Sequence, residues 1–534
     1  MKLKIVVAIA VTVLLAGAGA LLAYGFLFSP ATDDAITLVP EDAIGYFNVF
    51  LDPSNSQKQA IESLIAKTPF ETPEELLKKI VELFNKGLNE QGCSFEEDFE
   101  PWMGPQIAGF LSGPEEGLGF VATEDAGAAI AAFEKCTDVG ELEERSYKGV
   151  DYEAEGTNAI GIVENYLAAG TEGAFKKMID TSQGAASLES SERYQDAIDD
   201  LYNDPVALFY LDLKPIFQEY QSFAPPEMTA FTDLYEDLSD RPISGSIFAR
   251  PNAMVFEYAA GLPSSGSLGS LTDIARTALA SDIVAQLPGG SWGALGIGSA
   301  GDYVDSALEL IGQFDPTGGR ERMEAEFKKE TGLSLSNDVL SWIGDVGFFV
   351  QGTSPLTLSG GMVIETDDPE AAQLAVGKLA EFAAKDGAPV KALTIPGVEG
   401  FAIQEESQPQ PINIAVGAER VVIAYGNLAT EQALKGDVTL EGSETFIEAS
   451  DALGEGFRVS AFFEADPIQA LIEGSVLPTL TSFDPATGQI VPDADARANY
   501  EQNVKAFVDP LSFFVFGSRT EDETSITRIV IGVE

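Results

Sequence analysis

The feature that most constrains this chain is an internal repeat with a period of about 250 residues. Trp102-Met103-Gly104 has a counterpart in Trp342-Ile343-Gly344. Ser187 to Leu201 aligns without gaps with Thr439 to Leu453. Leu188/Leu440, Glu189/Glu441, Ser191/Ser443, Glu192/Glu444, Ala197/Ala449, Asp199/Asp451 and Leu201/Leu453 are identical pairs, and Tyr194 faces Phe446. Pro215 meets Pro467 at the same spacing, and Pro40 and Gly45 pair with Pro288 and Gly293. So long a period implies a duplicated domain, not a solenoid of short units. A chain of 534 residues also exceeds one ordinary core.

Ser264-Ser-Gly-Ser-Leu-Gly has the composition of a flexible linker and marks the boundary. Each copy opens with a strand, over 43–50 and 292–298. Thr72-Pro73-Glu-Glu75 is a helix start, with a cap, proline at the first position and glutamate three residues on. Leu76, Leu77, Ile80, Val81 and Phe84 then form one apolar face. Strands at 106–111 and 117–122 follow, then a helix begun by Thr123-Glu-Asp. Three more strands, a helix pair and a terminal hairpin complete the copy. Strand–strand–helix runs with short turns predict an α+β class, an antiparallel sheet covered by helices.

No charged residue occurs from Ile5 to Phe28. As a helix this run would span roughly 36 Å, enough to cross the hydrocarbon of a bilayer. Lys2 and Lys4 flank one end, and Asp33, Asp34, Glu41 and Asp42 follow the other. That asymmetry predicts a cytoplasmic N-terminus, an extracytoplasmic body and location in the cell membrane. The small residues Ala16, Ala18 and Ala20 suit a signal-peptidase site, but the apolar run continues well past Ala20, as an uncleaved anchor requires. The expected organisation is a tail at 1–4, a transmembrane anchor at 5–28, a linker at 29–36, one repeat domain at 37–263, a linker at 264–270 and a second domain at 271–534.

Apolar content of 45% is that of a folded protein. The chain carries 31 basic and 85 acidic residues, a net charge of −54, spread along its length. Such a surface repels nucleic acid and anionic headgroups. It suits solubility or a salty medium, with divalent cations at most weakly bound. Asp493-Ala-Asp495 is only a fragment of a calcium-loop spacing.

Three stretches carry a family resemblance. They are the opening Leu38-Val-Pro-Glu-Asp-Ala-Ile-Gly-Tyr-Phe-Asn-Val49, the strand-to-helix turn Phe120-Val-Ala-Thr-Glu-Asp-Ala126, and Ser191-Glu-Arg-Tyr194 before Ala207-Leu-Phe-Tyr-Leu211. In these the chain resembles exported bacterial proteins carrying domain of unknown function 3352. The resemblance covers most of the body. It implies location and architecture and supplies no catalytic residue.

The chain has no histidine, which removes histidine-dependent triads and histidine zinc sites. Gly289-Gly-Ser291-Trp-Gly293 fits a nucleophile-elbow pattern but lacks the partner base. Gly296-Ile-Gly298-Ser-Ala-Gly301 fits a dinucleotide turn, yet a chain with 52 glycines makes chance matches, and Asp302 would repel a pyrophosphate. No carboxylate pair stands out among so many. The adjacent pairs Phe348-Phe349, Phe462-Phe463 and Phe513-Phe514 predict strands apolar on both faces, packed in a core or lining a cavity for an apolar ligand.

Cys93 lies nine residues before Trp102, as Leu333 lies nine before Trp342; Cys136 lies eleven after Asp125, as Leu379 lies eleven after Asp368. Both cysteines replace leucines of the other copy. In an oxidising compartment they are the candidate disulfide pair, and if they meet, Leu333 and Leu379 should touch. The sequence therefore predicts a non-enzymatic envelope interaction or scaffold module, without cofactor or metal, whose partners are the membrane and an envelope protein. A carrier of a lipid-like ligand is the alternative, and a carboxylate-dependent hydrolase a third.

Overall fold

In a computed structural model, residues 32–534 are described apart from 71, 89–91, 138–141, 222–240, 263–277, 279–280, 315–317, 355, 406–407, 478–480, 485–488 and 522–523. The expected anchor at 5–28 and the 264–270 linker lie outside the described residues. Among the described residues, no helix is long and apolar enough to cross a membrane. Chain contacts divide the protein into two units, 1–262 and 263–534.

The first unit contains strands β1 (Gly45–Phe50), β2 (Met103–Gly113), β3 (Glu116–Thr123), β4 (Glu143–Tyr147), β5 (Val150–Glu155), β6 (Asn158–Val163), β7 (Tyr166–Thr171), β8 (Ala207–Leu211), β9 (Ile243–Arg250) and β10 (Ala253–Gly261). They pair antiparallel in the order β10-β9-β8-β1-β2-β3-β7-β6-β5-β4. Helix Glu172–Ser182 buries Ala174, Phe175, Met178 and Ile179 on one face, against Phe110, Phe120, Tyr152 and Ala168. Helix Ala126–Cys136 lays Ala129 and Ala132 on the other, beside Trp102, Ile160 and Leu167. Small residues on that helix allow close approach to the sheet. Asp125 caps it by accepting from the Ala128 N–H at 3.0 Å.

The second unit contains β11 (Gly293–Ile297), β12 (Val346–Gln351), β13 (Ser359–Glu365), β14 (Val390–Ala392), β15 (Glu399–Ile403), β16 (Ile412–Val416), β17 (Arg420–Tyr425), β18 (Arg458–Glu464), the separate hairpin β19 (Thr481–Asp484) and β20 (Gln489–Pro492), and β21 (Leu511–Glu521) and β22 (Thr524–Val533). Its sheet runs β22-β21-β18-β11-β12-β13-β17-β16-β15-β14, again antiparallel throughout. Position by position, this is the order of the first unit.

Local contacts match too. Pro40 bridges Ser187 and Pro288 bridges Thr439. The Leu188 N–H donates to the Val39 carbonyl at 2.8 Å and Leu440 to Leu287 at 2.9 Å, and both leucines are fully buried. Trp102 and Trp342 each precede the second strand of their unit. Their indole N–H groups donate to the carbonyls of Asp98, at 2.6 Å, and Asp338, at 3.1 Å. Asp98 and Asp338 in turn accept from the backbone of Ser94 and Ser334. Asp368 caps helix Pro369–Lys385 as Asp125 caps its own.

Several expectations need correction. Four strands, not three, follow helix Ala126–Cys136. β4 carries the sequence Glu-Glu-Arg-Ser-Tyr without apolar alternation, because it is the edge strand and faces water. β8 lies between the helix pair and the terminal hairpin. Of the stretch expected as a linker at 29–36, residues 29–31 lie outside the described residues, and Ala35 and Ile36 are buried in a 3-10 turn over Ala35–Leu38. Of the three phenylalanine pairs, only Phe348-Phe349 is one-faced. Phe349 is 2% exposed but Phe348 is 46% exposed, and Phe462 and Phe513 are buried while Phe463 and Phe514 are half-buried.

Candidate functional site

Cys93 and Cys136 are joined as a disulfide with their Cα atoms 5.8 Å apart. Both are buried. Cys93 stands just before Ser94, which caps the short helix Phe95–Asp98, and Cys136 ends helix Ala126–Cys136. The bridge ties the entry to Trp102 to the helix packed on it. Beside it, Lys135 Nζ lies 2.7 Å from Asp98 Oδ1. The hydrogen bond from Lys135, then that from the Ser94 N–H, holds the Asp98 carboxyl below its usual range. The Asp98 carboxylate and the two sulfurs lie within 4.8 Å of one another. With the sulfurs bonded to each other, neither is a thiolate ligand. In the second unit Leu333 is buried with Trp342, Ala372, Ala375 and Val376, and Leu379 is half-buried on the same helix as the last three.

The two glycine motifs serve packing. Ser291 is fully buried and donates to the Pro288 carbonyl at 2.6 Å, so its hydroxyl is neither exposed nor near a base. At the turn after β11 three consecutive N–H groups are already used. Gly298 donates to Ala278 O, Ser299 to Asp345 Oδ1 at 2.8 Å, and Ala300 to Gly344 O. A carboxylate of the protein thus occupies the place a phosphate would need. A Cβ on Gly301 would lie 2.3 Å from Leu340 O and 2.5 Å from Ile343 O, which explains that glycine by backbone approach. β11 is also flanked by two antiparallel strands, unlike the parallel unit of a dinucleotide fold.

Sequence reasoning missed a buried polar network in the first unit. Asp33 Oδ1 accepts from Tyr46 Oη at 2.7 Å, Asn48 Nδ2 at 2.7 Å and the Ile36 N–H at 3.1 Å. Gln106 Oε1 accepts from the Ala35 N–H and from Tyr166 Oη, each at 3.1 Å. Asn48 and Gln106 sit on β1 and β2 and are buried. Asp33 Oδ2 and Asn48 Oδ1 are buried without a hydrogen-bond partner. Burial pushes the Asp33 carboxyl up, against the three hydrogen bonds that pull it down. It pushes the Tyr46 and Tyr194 hydroxyls up as well, with Asp33 adding to both, and raises Tyr210 to about 12. In the second unit the carboxylate comes from the other side: Asp345, just before β12, accepts from Ser281 Oγ at 2.6 Å as well as from Ser299.

The chain belongs to the family described as Protein of unknown function (DUF3352), whose model matches residues 5–492, nearly the whole chain and both units together. Two solved structures are similar to parts of it, crystal forms III and I of TP0453. They are 10% and 11% identical, cover 44% of this chain and 82% and 81% of their own, and have TM-scores of 0.25 and 0.24. No curated protein matches the chain.

Replacing both cysteines by serine should lower the unfolding free energy of the first unit by about 2–4 kcal/mol, since the bridge closes a loop of 43 residues. Urea denaturation with and without reductant measures it, and reductant should do nothing further to the variant. Asp33 has a raised folded pKa, so the folded state holds its proton more tightly than the unfolded chain. Its contribution is fully present below the ordinary value of 3.8 and is lost as pH rises through the folded value. Asp33→Asn should therefore gain stability relative to the parent as pH is raised from about 4 to 7, in paired urea titrations. A gain on acidification instead would reverse the sign.

Proposed function

We propose that this protein is a single-pass, membrane-anchored, extracytoplasmic and non-enzymatic interaction or scaffold module, its body made of two copies of one domain. The observation that carries the reading is the uncharged run Ile5–Phe28 between Lys2 and Lys4 on one side and Asp33 and Asp34 on the other. The buried Cys93–Cys136 bridge supports a body in an oxidising compartment. The identical strand orders and the matched tryptophan, aspartate and proline contacts support duplication. The absence of histidine and the packing roles of both glycine motifs support a role without chemistry. Partners would then be envelope proteins met through an anionic surface that disfavours nucleic acid.

A second reading, a carrier of a hydrophobic ligand, is favoured by one observation. Leu295 and Phe348 are register partners on β11 and β12, and both are nearly half-exposed. Native mass spectrometry of the full chain after lipid extraction should show an adduct if this holds, and bare mass in every preparation would argue against it.

The primary reading is tested by topology. Protease added to intact spheroplasts should digest the body and leave a short membrane-embedded fragment; a body protected until the membrane is broken would overturn it.

A further inference from the structure

The geometry points to a second-unit cleft that binds a carboxylate carried on an apolar or aromatic stem. The cleft has a volume of about 390 Å³. Asp282, Phe446, Ser450, Phe457, Arg458 and Val459 line it. One wall is therefore aromatic and aliphatic, and the mouth carries a guanidinium. Arg458 Nη1 bonds both oxygens of the Asp282 carboxylate. Asp282 already shows what this guanidinium holds, and both side chains are about half-exposed, so a ligand carboxylate can exchange with it.

The surroundings favour an anion further. In a chain of net charge −54, two more arginines converge on the same phenylalanine. The guanidinium carbons of Arg519 and Arg528 lie 5.0 and 4.2 Å from the Phe457 ring centre. Arg528 Nη1 donates to the Leu453 carbonyl at 2.6 Å, and Arg519 Nη1 lies 3.2 Å from Glu521 Oε1. Arg519 Nε is buried without a hydrogen-bond partner. Arg528 thus brings positive charge onto the Phe457 ring, while the charge of Arg519 is shared with Glu521. In the first unit a single arginine, Arg250, lies over a phenylalanine of the equivalent hairpin, 5.5 Å from the Phe248 ring centre. Glu257 stands four residues into β10, as Arg528 stands four residues into β22, and its carboxylate accepts from the Tyr202 N–H at 2.7 Å. The same place in the two sheets thus carries opposite charge, so the basic corner is not a requirement of the fold.

Arg458 would bind the ligand carboxylate in place of Asp282, with Phe446, Phe457 and Val459 taking the stem. The planar guanidinium suits a planar carboxylate. The test uses the full-length chain and 3-(4-fluorophenyl)propanoate, followed by fluorine NMR and isothermal titration calorimetry. The acid should bind roughly tenfold or more tightly than 3-(4-fluorophenyl)propan-1-ol, the scale of a charge-assisted contact. Arg458→Met should lose that margin. Asp282→Asn, which removes the internal competitor, should tighten binding several-fold, and this arm decides the matter should the Arg458 variant fail to fold. Equal binding of acid and alcohol, an unchanged or weakened affinity in Asp282→Asn, or inorganic phosphate binding more tightly than the acid would each overturn the assignment.

Discussion

The pairing of the first strand of each unit with two distant segments is the constraint on which everything else rests. β1 joins β2 on one side and β8 on the other, so residues 45–50 hold together stretches near 107 and 209. β11 does the same between β12 and β18. Once those ladders form, the connecting chain must cross the sheet as helices, because its apolar sides can be buried only against the sheet faces. Helices Glu172–Ser182 and Asn427–Lys435 follow β7 and β17 directly and turn back onto one face. Helices Ala126–Cys136 and Pro369–Lys385 follow β3 and β13 and cover the opposite one. Such non-local pairing orders a long chain before any contact rewards it, which places the entropic cost of folding on the central strands.

How a unit solves a local problem is freer than how it is wired. The 3-10 turn leading into each sheet needs an acceptor for its N–H groups. Asp33 and Gln106 supply it in the first unit. In the second, Ser281 accepts from the Ile283 N–H and is itself held by Asp345. Beside the tryptophan, a disulfide stands in the first unit where the second has Leu333 and Leu379. There Leu333 packs with Trp342 and with Ala372, Ala375 and Val376 of the following helix, so apolar burial takes the place of the covalent tie.

This division explains what was legible in the sequence. Paired residues such as Pro40/Pro288, Leu188/Leu440 and Trp102/Trp342 make backbone bridges or fill fixed core positions, so their spacing carries the wiring. β2 and β3 lie within a few residues of their expected bounds for the same reason. β4 was invisible, because an edge strand of charged residues has no pattern to betray it. Asp33 was illegible among 85 acidic residues. Only the pairing of β1 with β2 brings Tyr46, Asn48 and Gln106 together around it, and that proximity is a property of register, not of local sequence. The cleft at Phe457 was hidden likewise, since Asp282, Arg458 and Arg528 come from three separate elements.

Residues that agree between the units report on folding, because the same strand order demands them twice. Function is better sought where the units differ. The differences found are not spread evenly. The first unit carries the buried carboxylate and its tyrosines, the disulfide, and Glu257; the second carries the arginine corner, while half-exposed apolar residues occur on the central strands of both, Leu111 and Phe209 in one, Leu295 and Phe348 in the other. Placing scarce positive charge at the arginine corner, against a strongly acidic background, lowers the cost of bringing an anion to that one point while the remaining surface repels it. If the cleft binds an anion as proposed, that contrast would give selectivity over nonspecific association.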